Sequence, residues 1–268
     1  MRSNYFSVFI LAFSFLFITA CGGGEQQNTE DNQPTASEES ATPTNITQSP
    51  FSSSPDFPGA KLELNGYDNG TFNFTVSNYD LKAQTSDAPQ KMCANSNEGQ
   101  HIHLIVDNAP YAAKYEPSFA HEVADGQHYV LAFLSRSYHE SIKTNDAHVA
   151  VKGQFAGGKM LESTPVTEPM IFYSRPKGNY VGKADTDKIM LDFYLVNTTL
   201  SPDGNKVKVT INGEDKFVLD EWKPIFIEGL SMGDNKIKLT LLDSEGKAVA
   251  TPLNPVERVF TLKADELQ

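Results

Sequence analysis

The strongest constraint on the fold is an internal repeat. Residues 72–81, FNFTVSNYDL, lie on residues 191–200, LDFYLVNTTL, matching Phe74 with Phe193, Val76 with Leu195, Asn78 with Asn197 and Leu81 with Leu200. Residues 101–108, HIHLIVDN, lie on 206–213, KVKVTING. Residues 115–134, YEPSFAHEVADGQHYVLAFL, lie on 222–241, WKPIFIEGLSMGDNKIKLTL, with Pro117 on Pro224, Phe119 on Phe226, Gly126 on Gly233 and Leu134 on Leu241. Order and approximate spacing hold throughout, so both copies must reach the same fold.

Each copy is a series of short runs rich in Val, Ile, Phe, Tyr and Leu. Asn-Gly, Asp-Gly, Gly-Asp or Pro-containing turns break these runs about every 8 to 12 residues, and no sustained 3.6-residue period occurs. Copies of about 100 residues with this rhythm predict an all-β chain of two tandem immunoglobulin-like β-sandwiches. The first is expected over residues 56–163 and the second over 168–264.

Ahead of the repeat stand two segments of different character. The chain opens MRSNYFSVFILAFSFLFITAC, with Arg2, an apolar stretch from Tyr5 to Ile18, and Ala20 before Cys21. That order marks a secretory signal over residues 1–20, and the apolar stretch falls short of the roughly 18 residues a spanning helix needs. The end of this run resembles the lipobox of bacterial lipoproteins. The resemblance implies cleavage before Cys21, acylation of its thiol (palmitate among the chains), and anchorage to the cell envelope, outer membrane foremost, since several acyl chains hold firmly where one holds marginally. Residues 21–55 are polar and rich in Ser, Thr, Pro, Glu and Gln. Such a composition cannot offset its own ordering entropy, so a disordered tether is expected there.

Charge and cysteine content exclude several classes. The formal net charge is −12 and becomes −13 without residues 1–20, which hold Arg2 and no acid. A nucleic-acid partner is excluded, because it requires a basic footprint. The only cysteine besides Cys21 is Cys93, so a lipidated Cys21 leaves no intramolecular disulfide framework.

The two copies differ in their histidines. All six, at 101, 103, 121, 128, 139 and 148, lie in the first copy. In KVKVTING the apolar positions Val207, Val209 and Ile211 alternate with Lys206, Lys208 and Thr210. On that pattern Ile102, Leu104 and Val106 face the core, while His101 and His103 take the outward lysine positions. Such a pair can share a copper or zinc ion if a further donor arrives, and His139, His128, His121 and Cys93 are the candidates. Nineteen residues, 82–100, including Met92 and Cys93, stand where the second copy has only SPDGN. The competing reading is that the histidines are ordinary surface residues of a structural or adhesive protein, with a protein or glycan partner.

Two further features belong to the first copy. Tyr129, Leu131 and Phe133 fall on the outer face where the second copy has Lys236, Lys238 and Thr240, so the added loop, the other sandwich or a ligand must cover them. The loop SRSYHESIK, 135–143, gathers Arg136, Tyr138, His139 and Glu140, and with Asp107 these are candidate ligand-binding residues. No G-x-S-x-G elbow, H-E-x-x-H helix, phosphate loop or dinucleotide fingerprint occurs, so no catalytic residues are assigned and no enzyme is expected. Trp222, on the Tyr115 position, is expected to pack at a domain edge.

The runs HIHLIVDNAPY, GQHYVLAFLSRSYHESIK, SRPKGNYVG and LDFYLVNTTLSPDG resemble a group of Gram-negative lipoproteins and exported proteins with histidine-bearing immunoglobulin-like modules. The resemblance implies an envelope location and a histidine-marked first module, and carries no activity with it. The expectation is a non-enzymatic, lipid-anchored envelope protein whose first sandwich presents a histidine-rich ligand-binding surface, for copper or zinc.

Overall fold

A computed structural model describes residues 45–265 of the chain. The expected signal and Cys21 therefore lie outside the described residues. The strands are β1 (Thr47–Pro50), β2 (Lys61–Asp68), β3 (Thr71–Ser77), β4 (His101–Val106), β5 (Ala112–Lys114), β6 (Ser118–Ala120), β7 (Gly126–Ser135), β8 (His148–Ala156) and β9 (Lys159–Pro165). They continue as β10 (Met170–Arg175), β11 (Gly178–Val181), β12 (Lys188–Val196), β13 (Lys206–Ile211), β14 (Glu214–Leu219), β15 (Ile225–Glu228), β16 (Gly233–Leu242) and β17 (Val256–Lys263).

The sheets fall into two sandwiches of matching order. In the first, β2-β3-β6 faces β5-β4-β7-β8-β9; in the second, β10-β12-β15 faces β14-β13-β16-β17-β11. The repeat thus holds in three dimensions, with β3, β4, β6 and β7 recurring as β12, β13, β15 and β16. Even the turns recur. Asn78 and Asn197 both take left-handed conformations, φ 54° and 53°, which asparagine tolerates better than most residues. After β4, Asp107 and Asn108 have φ 49° and 58°; after β13, Asn212 and Gly213 have φ 51° and 91°, the paired positive φ of a tight hairpin turn.

Alternation along the strands builds three apolar layers rather than two. Leu62, Phe72 and Phe74 pack on Ile102, Leu104, Val130, Ala132 and Leu134 inside the first sandwich. Ile171, Tyr173, Leu191 and Phe193 pack on Val207, Val209, Ile237 and Leu239 inside the second. Between the sandwiches, Ile105, Leu131 and Phe133 from the outer face of β4 and β7 meet Met170, Phe172, Tyr194 and Val196 from the outer face of β10 and β12. The second sandwich is therefore the cover expected over Leu131 and Phe133, and it reaches Tyr129 as well.

Two polar clamps hold this layer in register. Asn108 Nδ2 donates to Ile171 O and its Oδ1 accepts from Tyr173 N, both at 2.9 Å, so a side chain imitates a strand partner along β10. Asp192 on β12, with no exposed surface, accepts from Ser141 N at 3.1 Å and from Lys143 Nζ at 2.6 Å.

The expected tether needs correcting near its end. Thr47–Pro50 is an edge strand of the second sandwich, antiparallel to β15. Phe51 follows it, with its ring 4.9 Å from Phe226 and 6.1 Å from Tyr138. The polar composition concealed two apolar anchors, Ile46 and Phe51, which bind the segment down.

The layer between the sandwiches sets the first prediction. Phe133 is fully buried and stacks on Tyr194 with centroids 4.8 Å apart. Phe133→Ala is expected to cost about 3–5 kcal/mol in urea unfolding. A loss below about 1 kcal/mol would mean that the sandwiches do not depend on one another.

Candidate metal centre

The histidines of β4 do leave the core of their own sandwich, but they do not reach solvent. His101 and His103 have no exposed surface, because Tyr111, Tyr115 and His139 from their own sandwich and Ser174 from the second close over the face they occupy. The expectation of a presented histidine surface is thereby corrected to a buried cluster.

The third imidazole comes from the loop after β7. Ser135 and Ser141 bridge across it, Arg136 N donates to Glu140 O, and His139 N donates to Arg136 O. His139 closes this turn in a left-handed conformation, φ 69°, uncommon for a side chain larger than asparagine. A conformation of that kind is tolerated where the surroundings impose it, often at sites of function. Here it sets the imidazole beside the β4 pair.

The three donor nitrogens converge. His101 Nε2 lies 2.8 Å from His103 Nε2 and 3.0 Å from His139 Nδ1, and the third side of the triangle is 3.4 Å. Three nitrogens bound to one zinc at ~2.0–2.1 Å with tetrahedral angles would stand ~3.3 Å apart. Movements of a few tenths of an ångström separate the two arrangements.

Hydrogen bonding uses only one of the two close approaches to His101 Nε2 fully. His101 Nδ1 lies 2.7 Å from the carbonyl of Gly99 and must donate to it, which leaves Nε2 with a single in-plane lone pair. Two nitrogens approach that lone pair, and a neutral imidazole can accept well from only one. A cation at the centre would use all three lone pairs. The Gly99 carbonyl would then fix the tautomer and orientation of the ligand, as a metal-bound histidine normally requires.

The surroundings support the cluster. Gly99 is obligatory, since at φ 83° a Cβ there would stand 2.3 Å from Lys82 O. Tyr111 stacks on His103 with centroids 3.6 Å apart, and its hydroxyl is 3.3 Å from His139 Nδ1. Ser174 on β10 places Oγ 3.3 Å from His103 Nδ1, and the Tyr115 ring is 5.0 Å from that of His101.

Electrostatics keep the imidazoles neutral, which is their ligand form. Burial lowers the pKa of His101 to about 4, offset in part by the Gly99 bond and reinforced by Arg175 and Lys177. Burial depresses His103 well below the usual imidazole range, followed by its two histidine neighbours. Burial does the same to His139, with Arg175 the leading charge.

The other expected site residues lie elsewhere or are engaged. His128 precedes by five residues the Phe133 that pairs with His103, roughly 16 Å away at ~3.3 Å per residue, and sits on the opposite face beside Phe155. Its Nδ1 bonds Asp107 Oδ2 at 2.5 Å. Asp107 Oδ1 accepts from Tyr129 N at 2.8 Å, as Asn212 Oδ1 accepts from Lys236 N in the second copy, so Asp107 is a turn residue of the repeat. His121 lies near Phe72. Cys93 is half-buried and does not join the group whose donor atoms all lie within 4.8 Å of one another, and Met92 is 69 % exposed.

Within SRSYHESIK only His139 reaches the cluster. Arg136 Nη2 donates to Pro55 O at 2.6 Å, Glu140 accepts from Ser54 Oγ at 2.5 Å, and Tyr138 donates to Asp87 Oδ1 at 3.0 Å. All three are buried; Arg136 and Glu140 fasten the segment after β1, and Tyr138 packs on Phe51 of that segment while bonding the loop before β4, which corrects the reading of them as a ligand-binding surface. Trp222 packs at the sandwich edge with Nε1 on Phe193 O. Sequence reasoning missed Tyr111, Ser174, Arg175 and Lys177. The signal for Ser174, Arg175 and Lys177 was the apolar run of β10 leading into SRPKG, and for Tyr111 its place at the end of HIHLIVDNAPY.

These features define a class: an all-β protein of two stacked sandwiches with a buried three-histidine cluster near their contact. No family model and no curated protein matches the chain. Among solved structures, fibronectin(III)-like modules of CbhA from Clostridium thermocellum align at 15 % identity over 36 % of this chain and 100 % of theirs, with a TM-score of 0.29. CopC from Methylosinus trichosporium OB3b aligns at 15 % identity over 37 % of this chain and 99 % of its own, with a TM-score of 0.24. A fibronectin-III array of RIM-binding protein aligns at 12 % identity over 80 % and 72 %, with a TM-score of 0.28. The fold assignment rests on strand order, and the site on its own geometry.

The metal-free cluster should make stability depend on pH. The unfolded chain binds protons at these histidines near pH 6.5 and the folded chain only at lower pH, so stability rises with pH between the two. It should be fully present above about 6.5 and fall as the pH drops toward 4, with His101 alone contributing on the order of 3 kcal/mol. Urea unfolding of wild type and His101→Gln across that range checks this. Equal slopes for the two proteins would refute it.

Proposed function

We propose that the protein is a non-enzymatic, envelope-anchored metal-binding protein, with copper or zinc held by His101, His103 and His139. The observation that carries this reading is the convergence of three imidazole nitrogens, 2.8 to 3.4 Å apart, on one buried point. Nitrogen-only donors suit copper and zinc better than magnesium or calcium, which take oxygen ligands. The side chains forming the site are buried and braced, as a resident ion's coordination sphere must be. The all-β fold is consistent with a scaffold.

Titration of the detergent-solubilised protein with Cu²⁺ and Zn²⁺ tests the reading. One ion per chain is expected, and His101→Ala or His103→Ala should weaken binding by more than about a hundredfold, since even outer-shell changes cost 10- to 100-fold. His139→Asn is the most informative variant, because asparagine keeps the left-handed turn while removing the donor. Identical weak binding by wild type and variants would end the metal reading.

Anchorage through Cys21 is part of the same proposal and rests on the sequence pattern alone. Labelled palmitate should enter the wild-type protein in cells and be absent from Cys21→Ser. Equal labelling would remove the anchor.

A further inference from the structure

The turn that carries His139 has a counterpart in the second copy. Leu134 matches Leu241, so residues 135–141, SRSYHES, lie on 242–248, LDSEGKA. The hydrogen bonds recur as well. Arg136 N donates to Glu140 O and His139 N to Arg136 O, just as Asp243 N donates to Lys247 O and Gly246 N to Asp243 O. Bridges between Ser135 and Ser141 and between Leu242 and Ala248 close the two turns. The left-handed position is held by His139 at φ 69° in one copy and by Gly246 at φ 78° in the other. Glycine takes that conformation without steric cost, whereas a histidine there needs its surroundings to impose it.

The two turns differ in what surrounds them. In the second copy Glu245 and Lys247, on either side of the glycine, are exposed and pair with each other at 2.6 Å. In the first copy Arg136, Tyr138 and Glu140 are buried, and each meets the segment after β1. The Phe51 ring stands 6.1 Å from that of Tyr138, Ser54 Oγ donates to Glu140 Oε2 at 2.5 Å, and Pro55 O accepts from Arg136 Nη2 at 2.6 Å. Both neighbours of His139 are therefore held from this segment. Thr85 and Asp87 brace the turn from the loop before β4, through Ser137 N and the Tyr138 hydroxyl, but among the described residues the Glu140 carboxylate meets only Ser54 and Arg136. The segment is itself anchored: β1 pairs with β15, Phe51 lies 4.9 Å from Phe226, and Lys91 Nζ donates to the carbonyls of Ser52 and Ser53, both at 2.8 Å.

We infer that residues 51–55 are a positioning strap for the third metal ligand: by holding Arg136, Tyr138 and Glu140 they keep His139 in the left-handed conformation that brings its Nδ1 to the other two imidazoles. The inference rests on the metal reading and deepens it, because it names what sets the third ligand in place. A turn that relaxed to a right-handed backbone at residue 139 would swing the imidazole away from His101 Nε2, now 3.0 Å off. The sibling turn keeps the same backbone with exposed flanks because its residue is glycine. Metal release through opening of the His139 turn then scales with the fraction of time the turn is open.

Amide hydrogen exchange of residues 136–141 in the metal-free full chain reads the turn, and transfer of bound Cu²⁺ to a chelator reads the ligand. Ser54→Ala removes one hydrogen bond to a buried carboxylate and should speed both by about tenfold, with exchange in β4 unchanged. Ser54→Thr, which keeps the hydroxyl, should restore wild-type rates. Phe51→Ala should act in the same direction through Tyr138, and Ser54→Ala covers the case in which Phe51→Ala fails to fold. In a His139→Asn background Ser54→Ala should leave copper release unchanged, since the ligand it positions is gone; a merely structural role would speed release in both backgrounds. Turn exchange and copper release equal in wild type, Ser54→Ala and Phe51→Ala would overturn the strap and leave the metal site standing. Wild-type protein that takes up neither copper nor zinc would remove the metal reading and the ligand role with it, while the exchange data, taken without metal, would still decide the hold on the turn.

Discussion

The ring of Phe133 lies on that of Tyr194, 4.8 Å between centroids, in a layer where the outer face of one sandwich becomes the inner neighbour of the other. Neither sandwich needs this contact to close its own core. The contact nevertheless brings Ser174 of the second sandwich beside His103. Tyr111, Tyr115 and His139 of the first sandwich close over the same imidazoles, at positions where the sibling strand carries Lys206 and Lys208. His101 and His103 are thereby fully desolvated and their protonated forms disfavoured. Apolar burial at about 25 cal/mol per Å² supplies the driving force, and the polar clamps at Asn108 and Asp192 set the register.

Within that layer polar groups survive by being matched. Asp192 has Lys143 and a backbone N–H, and Asn108 has both edges of its amide occupied along β10. Not every buried group is matched: Tyr173 Oη, His148 Nδ1, Arg175 Nη1 and Arg258 Nε have no partner, while His101 Nε2 is approached by two nitrogens at once.

Much of this was legible in the sequence, and the reason is the repeat. KVKVTING carries its alternation openly, and it transferred the facing of the β4 strand to HIHLIVDN correctly. The same comparison exposed Leu131 and Phe133 as uncovered apolar residues. What the sequence could not convey was which of three covers lay over them, and hence that outward meant buried. The largely apolar runs MIFY of β10 and IMLDFYLV of β12 are the sign of strands buried on both faces, and all six residues of β10 are buried. His139 could be nominated but not chosen over His128, because strand spacing gives distance along one strand and not the path of a loop. The misjudged parts were polar: Arg136, Tyr138 and Glu140 resemble a ligand site in sequence and serve as internal fasteners in the fold.

The two copies also differ in what their outer faces carry. On the second sandwich the equivalent outer face carries Lys206, Lys208, Lys236 and Lys238, with exposed partners such as Glu257 3.3 Å from Lys236. Such pairs contribute little stability, but a sheet face of lysines cannot be laid against another apolar sheet without stripping them of water. On the first copy a neighbour covers that face, so Ile105, Leu131 and Phe133 are buried there and Ser174 stands beside His103. An imidazole at Lys206 or Lys208 of the second copy would have no such neighbour among the described residues.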